Sequence, residues 1–286
     1  MVRSSKFCLN LLPLFFLLSC QPSYDYKDYS AVERKKMSVE YLENAEKNFG
    51  QGTPACMNLI EAALQLDPNN AAAWRELSVP YLKRGLPHEW KPLFDKAVEL
   101  DPVAWQGWRG YLKLFFYRDY ESAIADFNAT DTLTPNFTDY PQSMSVDYQR
   151  GLAYFQLNEK EKALDYYTRY INEVTAKSGE DWVDVNAFVH RAIVYIKMED
   201  YGKAKSDLEK CLKYYSSSAD AYYHLAVINL QTGNHALAKE HIAKARLLFE
   251  KGAYMHRPYV EVFGQIYLSD IVNLESKLPS DTDLSR

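Results

Sequence analysis

The sequence predicts an all-α fold made by stacking copies of one helix-turn-helix unit, and three observations carry that expectation. Residues of like character recur 34 positions apart: Trp74 and Trp108, Pro68 and Pro102, Ala204 and Ala238, and the small residues Cys211 and Ala245. A fixed period of that length marks a chain of repeated supersecondary units. Within one period, apolar residues fall at helical spacing, with Trp74, Leu77 and Tyr81 on one stripe and Phe94, Ala97 and Leu100 on the next. Neither helix can bury its stripe alone, so the helices pair and every pair needs neighbours. Finally, Asp67-Pro68 and Asp101-Pro102 each stop one helix and cap the next.

Taken in order, the chain opens with Arg3 and Lys6 ahead of an apolar run from Phe7 to Leu18, interrupted by Asn10 and Pro13. That run is about half of the ~20 residues that span a bilayer, so residues 1–19 read as a signal peptide. Six copies of the unit follow within residues 30–252: Met37–Asn70, Ala71–Ala104, a shortened copy from Trp105, Met144–Lys177, Val185–Ser218 and Ala219–Gly252. Ala163, Ala204 and Ala238 let the paired helices approach closely. Asn136–Ser143 and Ser178–Asp184 are insertions between copies, where a solenoid tolerates them. Beyond Pro258, the residues Val262, Ile266, Ile271 and Leu274 fall near one helical face. This predicts a capping helix over 253–276 that seals the last unit, followed by a polar, flexible tail over 277–286.

The second copy has Trp74 at its fourth place, Leu77 at its seventh and Tyr81 at its eleventh, then Phe94, Ala97 and Pro102. In this it closely resembles the tetratricopeptide repeat (TPR). The resemblance implies a right-handed superhelical solenoid of about six repeats, whose concave groove is lined by the second, fifth, ninth, twelfth and thirteenth places of each first helix. Carried onto this chain, those places give a basic mouth of Arg75, Lys83, Arg109 and Lys113 leading to an aromatic floor of Tyr117, Tyr148, Phe155 and Tyr223. Such a groove would hold an extended or helical partner segment, with a carboxylate at Arg75 and Arg109. The alternative reading is that the arginines pair with nearby acidic residues and the aromatics pack the repeats. The Asn residues of the carboxylate-clamp form of this repeat are missing here. That departure weighs against recognition of a peptide terminus.

Leu17-Leu18-Ser19-Cys20 resembles the bacterial lipobox, in which the Cys is lipidated and becomes the new N-terminus. The resemblance implies a mature protein beginning at Cys20, with residues 20–29 as a tether, anchored in the cell envelope. Gln21 after the Cys suggests the outer membrane by family analogy. The chain as a whole is similar to uncharacterised TPR lipoproteins of Bacteroidetes. An adaptor that holds a protein or peptide segment of an envelope partner is the expected function. A glycan-binding, SusD-like lipoprotein is the alternative, with the 23 Tyr and 5 Trp as stacking platforms.

Composition excludes several other classes. With 47% hydrophobic and 25% charged residues the chain has the make-up of a folded body. The net charge of −5 carries no basic footprint for nucleic acid. Neither a Gly-rich phosphate loop, His-Glu-x-x-His, Gly-x-Ser-x-Gly nor Cys-x-x-Cys occurs, so no enzyme, cofactor or metal is expected. His190 and His224 lie 34 apart and should stack on adjacent helices, without the carboxylate or thiolate a metal pair needs. Cys56 and Cys211 fall four repeats apart at small, buried places and read as packed thiols. Asp131-Thr132-Leu133 resembles the short O-glycosylation sequence of Bacteroidetes.

Overall fold

A computed structural model describes residue 26 and residues 28–279. The signal peptide, Cys20, most of the tether and the end of the tail therefore lie outside the described residues.

Six antiparallel helix pairs stack in order: α1 (Ala31–Asn48) with α2 (Pro54–Leu66), α3 (Ala71–Lys83) with α4 (Pro87–Leu100), α5 (Pro102–Leu112) with α6 (Tyr120–Leu133), α7 (Val146–Gln156) with α8 (Lys160–Ser178), α9 (Val185–Lys197) with α10 (Tyr201–Tyr214), and α11 (Ala219–Gln231) with α12 (His235–Glu250). A short α13 (Leu268–Ser276) closes the stack against α12. Local chemistry sets these boundaries. Thr53, Asn70, Asp101 and Ser218 accept hydrogen bonds from the free amides of the helices they precede, and each such cap is worth about 1 kcal/mol. Pro54, Pro87 and Pro102 occupy first helical turns, where no amide donor is needed. Gly85 and Gly233 turn the chain between paired helices at φ 69° and 78°. Asn158, Glu199 and Arg118 do the same at φ 55–60°.

The periodic small residues are where the helices meet. Ala163, Ala204 and Ala238 are wholly buried. Gly110 and Gly151 let α5 and α7 press against aromatic rings of their partners: a Cβ on Gly110 would lie 2.5 Å from Phe127, and one on Gly151 2.6 Å from Tyr167. A continuous apolar cluster runs through the middle units, with separate clusters at the two ends. Cys56 and Cys211 are buried free thiols, and burial pushes the Cys211 thiol up to about 11.

Two regions depart from the sequence reading. The first helix of the third unit continues past Leu112 as a π-helical turn, Lys113–Tyr117. One extra residue in that turn rotates everything after it by roughly 100° relative to an α-helix. The second departure is at the C-terminus, where helix forms only over Leu268–Ser276. Residues 253–267 instead form a loop that leaves the end of α12, reaches toward the second and third units, and returns. Tyr259 and Gly264 adopt φ 69° and 70°, which breaks any helix there. Met255 and Phe263 are buried at 9% and 6% exposure, and the solenoid supplies partners for the loop's main chain. A Cβ on Gly264 would stand 2.8 Å from Ile193, so the missing side chain is what lets the returning leg close on α9.

Candidate functional site: a groove divided by its own loop

The first helices of the units line a groove, and the loop lies in it. Four side chains from three units hold the loop. Asp220 on α11 accepts the Met255 amide at 2.8 Å. On α9, His190 donates from Nε2 to the Phe263 carbonyl at 2.7 Å. Burial lowers the His190 pKa, which keeps the ring neutral, so Nδ1 accepts from the Tyr148 hydroxyl 2.6 Å away. Arg118, at the end of the π-helical turn, donates to the Glu261 carbonyl and stands 4.2 Å over the Phe263 ring. Lastly, Arg257 of the loop donates to the Tyr111 hydroxyl at 3.3 Å and lies 4.9 Å from the Phe115 ring centroid.

Arg257 borders two cavities beside the loop. The inner one, about 320 Å³, lies under the loop and is lined by Tyr148, Asp184, His190, Asp220 and Phe263 among others. Burial raises the Asp220 carboxyl to about 6. The outer one, about 440 Å³, faces the second and third units. Its wall holds Arg75, Lys83, Trp108, Tyr111, Phe116, Arg257 and Tyr259, with no carboxylate.

The structure brings together some of the residues expected to form the groove and disperses others. Arg75 and Lys83 line the outer cavity. Arg75 is ion-paired with the buried Glu76 and stands 5.5 and 5.6 Å from the Trp105 and Trp108 rings. Lys83 donates to Gln51 at 2.6 Å. Arg109 and Lys113 turn instead toward the second helices. Arg109 grips Asp126 with two bonds of 2.8 and 3.0 Å and reaches Asp95 at 2.8 Å, while Lys113 stands 2.8 Å from Asp126. The π-helical turn carries Tyr117 onto Trp90, with ring centroids 4.8 Å apart, and burial raises its hydroxyl to about 12. Phe116, at the twelfth place of the same helix, does face the outer cavity. Tyr148 lines the inner cavity, and its ring stacks parallel to Tyr170 at 5.2 Å. Phe155 packs against the central cluster, and Tyr223 packs into the terminal cluster that includes α13.

Sequence reasoning missed the loop residues Arg257, Tyr259 and Phe263, as well as Arg118. The available signal was negative: after Gly252 the 34-residue pattern ends, and Arg257-Pro258-Tyr259 fits no place in it. His190 and His224 do sit on adjacent first helices, α9 and α11. Burial, with the neighbouring His190, lowers His224 to about 3. No group of three or more metal-binding side chains occurs among the described residues. Thr132 of Asp131-Thr132-Leu133 is exposed in the last turn of α6, and Asp131 pairs with Arg150 at 2.7 Å.

Helix pairs of this size, six in succession around a groove, define a TPR-type solenoid. Tetratricopeptide-repeat profiles match residues 190–254 and residues 145–174. Among solved structures the fold is similar to PilW, a widely conserved type IV pilus biogenesis factor, at 18% identity and a TM-score of 0.56 over 77% of this chain and 94% of that one. It is also similar to PilF of Pseudomonas aeruginosa, at 16% identity and a TM-score of 0.54 over 78% and 94%. MamA of Desulfovibrio magneticus RS-1 matches at 20% identity and a TM-score of 0.53 over 63% and 96%. No curated protein matches the chain.

Proposed function

We propose that this protein is a lipid-anchored adaptor of the bacterial cell envelope, which binds a segment of another envelope protein in the outer part of its groove and carries out no chemistry itself. The observation that carries the reading is the outer cavity, roomy enough for a few side chains and lined by aromatic rings and three cations without a carboxylate. Cavities of roughly 300–1,000 Å³ with an apolar wall and few polar groups are the usual form of a binding site. A TPR-type solenoid presents such a groove on rigid helices. PilW and PilF share the fold, and PilW is named for pilus biogenesis, an envelope process. No described helix is long and apolar enough to cross a membrane. The proposed attachment is an acyl chain on Cys20, in keeping with the order of Ser19, Cys20 and Gln21, and several acyl chains together anchor stably.

 The adaptor reading is tested by crosslinking in intact cells followed by affinity capture and mass spectrometry. Enrichment of a specific envelope protein supports it, and a capture indistinguishable from an untagged control overturns it.

The glycan-binding alternative calls for aromatic rings exposed together on one face. The exposed aromatics among the described residues, Tyr29, Phe49, Phe137, Tyr140, Trp182, Tyr215, Tyr259 and Tyr267, are spread over six segments outside the α-helices, and the rings around the outer cavity line a groove instead, which favours the adaptor.

A further inference from the structure

We infer that the outer cavity is a site for a partner segment that presents a carboxylate beside an aromatic or large aliphatic side chain, and that the chain's own C-terminal loop completes this site. The inference rests on the adaptor reading and names the chemistry of its partner.

Several cations along the groove already have a counter-charge. Arg109 and Lys113 share Asp126, Arg118 faces Glu261, and Arg191 on α9 pairs with Asp207. Arg75 is held by Glu76 and serves as wall, spread over Trp105 and Trp108. Lys83 and Arg257 differ. Neither has a carboxylate within ion-pair distance among the described residues, and both face the same cavity. Lys83 is held by Gln51 and lies 5.1 Å from the Tyr259 ring centroid. Arg257 makes one bond, to Tyr111, which leaves most of its five donors available. A carboxylate between them would gain charge-assisted hydrogen bonds from two sides.

The rest of the wall selects what the carboxylate is attached to. Trp108, Tyr111, Phe116 and Tyr259 surround the space with ring faces and edges, which favour an aromatic or large aliphatic group. Tyr259 is 69% exposed and holds φ 69°, a conformation that non-glycine residues rarely adopt. The loop thus displays a ring over the cavity at a local backbone cost, as residues at ligand clamps often do. Helices α3 and α5 alone would leave the cavity open on this side; Arg257 and Tyr259 close it.

The test uses the full chain in detergent and three probes: a fluorescein-labelled hexapeptide alternating Glu and Tyr, its Gln-Tyr counterpart, and trigalacturonate as an unlabelled competitor. Fluorescence anisotropy should show the Glu-Tyr peptide binding about tenfold more tightly than the Gln-Tyr peptide, and Lys83→Ala or Arg257→Gln should each remove about that factor, equivalent to roughly 1.4 kcal/mol. Lys205→Ala on α10, away from the groove, should leave binding unchanged. Circular dichroism checks that the variants fold. Equal binding of the two peptides, or full affinity in both variants, overturns the inference. So does trigalacturonate binding with no peptide binding, which would assign the cavity to an acidic glycan. If cells yield a specific protein that the Lys83→Ala, Arg257→Gln double variant captures equally well, the adaptor stands and this site falls. Capture of nothing specific by the parent protein overturns the adaptor reading itself.

Discussion

Truncating Phe263 to alanine should release the loop from the groove while leaving the helical stack intact. Phe263 is 6% exposed, with its ring centroid 5.4 Å from Phe115 and 6.1 Å from Tyr120, under the Arg118 guanidinium at 4.2 Å. Removing a ring so placed costs about 3–5 kcal/mol. The loop can ill sustain that loss, because ordering each of its residues already costs about 1–2 kcal/mol of backbone entropy. Its release is local, since stability in a solenoid is summed over neighbours. The Met255 amide, bonded to the buried side of Asp220, reports on the loop directly. Hydrogen exchange at Met255 should accelerate by about two powers of ten, the equivalent of roughly 3 kcal/mol, with amides in α3 and α4 unchanged. Unaltered protection at Met255 would refute the claim that Phe263 anchors the loop. Acceleration throughout the chain would refute the claim that the loop is an independent element.

Three further outcomes are expected. His224 is neutral in the fold, with its pKa lowered from 6.5 to about 3 by burial and then by His190; its stabilising contribution is complete above pH 6.5 and is lost as pH falls toward 3, by at most about 5 kcal/mol. His224→Leu should therefore flatten the acid side of a melting-temperature profile, even though Asp220, whose carboxyl is raised to about 6, pulls the other way between about pH 6 and 4. Arg109→Ala should destabilise the protein by about 3–5 kcal/mol in urea unfolding, because Asp126 is buried and loses a two-bond partner; a change under 1 kcal/mol would mean that Lys113 and Gln106 suffice to satisfy it. Cys20→Ala should move the protein from the membrane to the soluble fraction, and persistence at the membrane would remove the lipid anchor.

The fold was legible because repeat physics writes itself at a fixed spacing. The 34-residue recurrence of Trp74 and Trp108, the buried alanines and the Asp-Pro steps all mark places where one helix must stop or another approach closely. What escaped was everything that breaks the period. A single π-helical turn moves Tyr117 off the groove and onto Trp90, while Phe116, a groove place by the same counting, stays in it, and no local residue preference distinguishes KLFFY from an α-helix. Arg109 and Lys113 sit at groove places by counting, yet the buried Asp126 on the partner helix draws both inward. Beyond Gly252, Val262, Ile266, Ile271 and Leu274 do keep helical spacing. Helix geometry gave way there because Phe263 and Met255 are buried in the groove, and Asp220, His190 and Arg118 satisfy the loop's backbone. Those partners are 35 to 143 residues distant in sequence, beyond the reach of any local pattern.

The most direct test of the central claim is photo-crosslinking in cells with a benzophenone side chain placed at Phe116, in the wall of the outer cavity, and in parallel at Lys205 on α10. A discrete adduct with an envelope protein is expected from position 116 and none from position 205. The same adduct from position 205 alone would place the partner outside the groove and contradict the account.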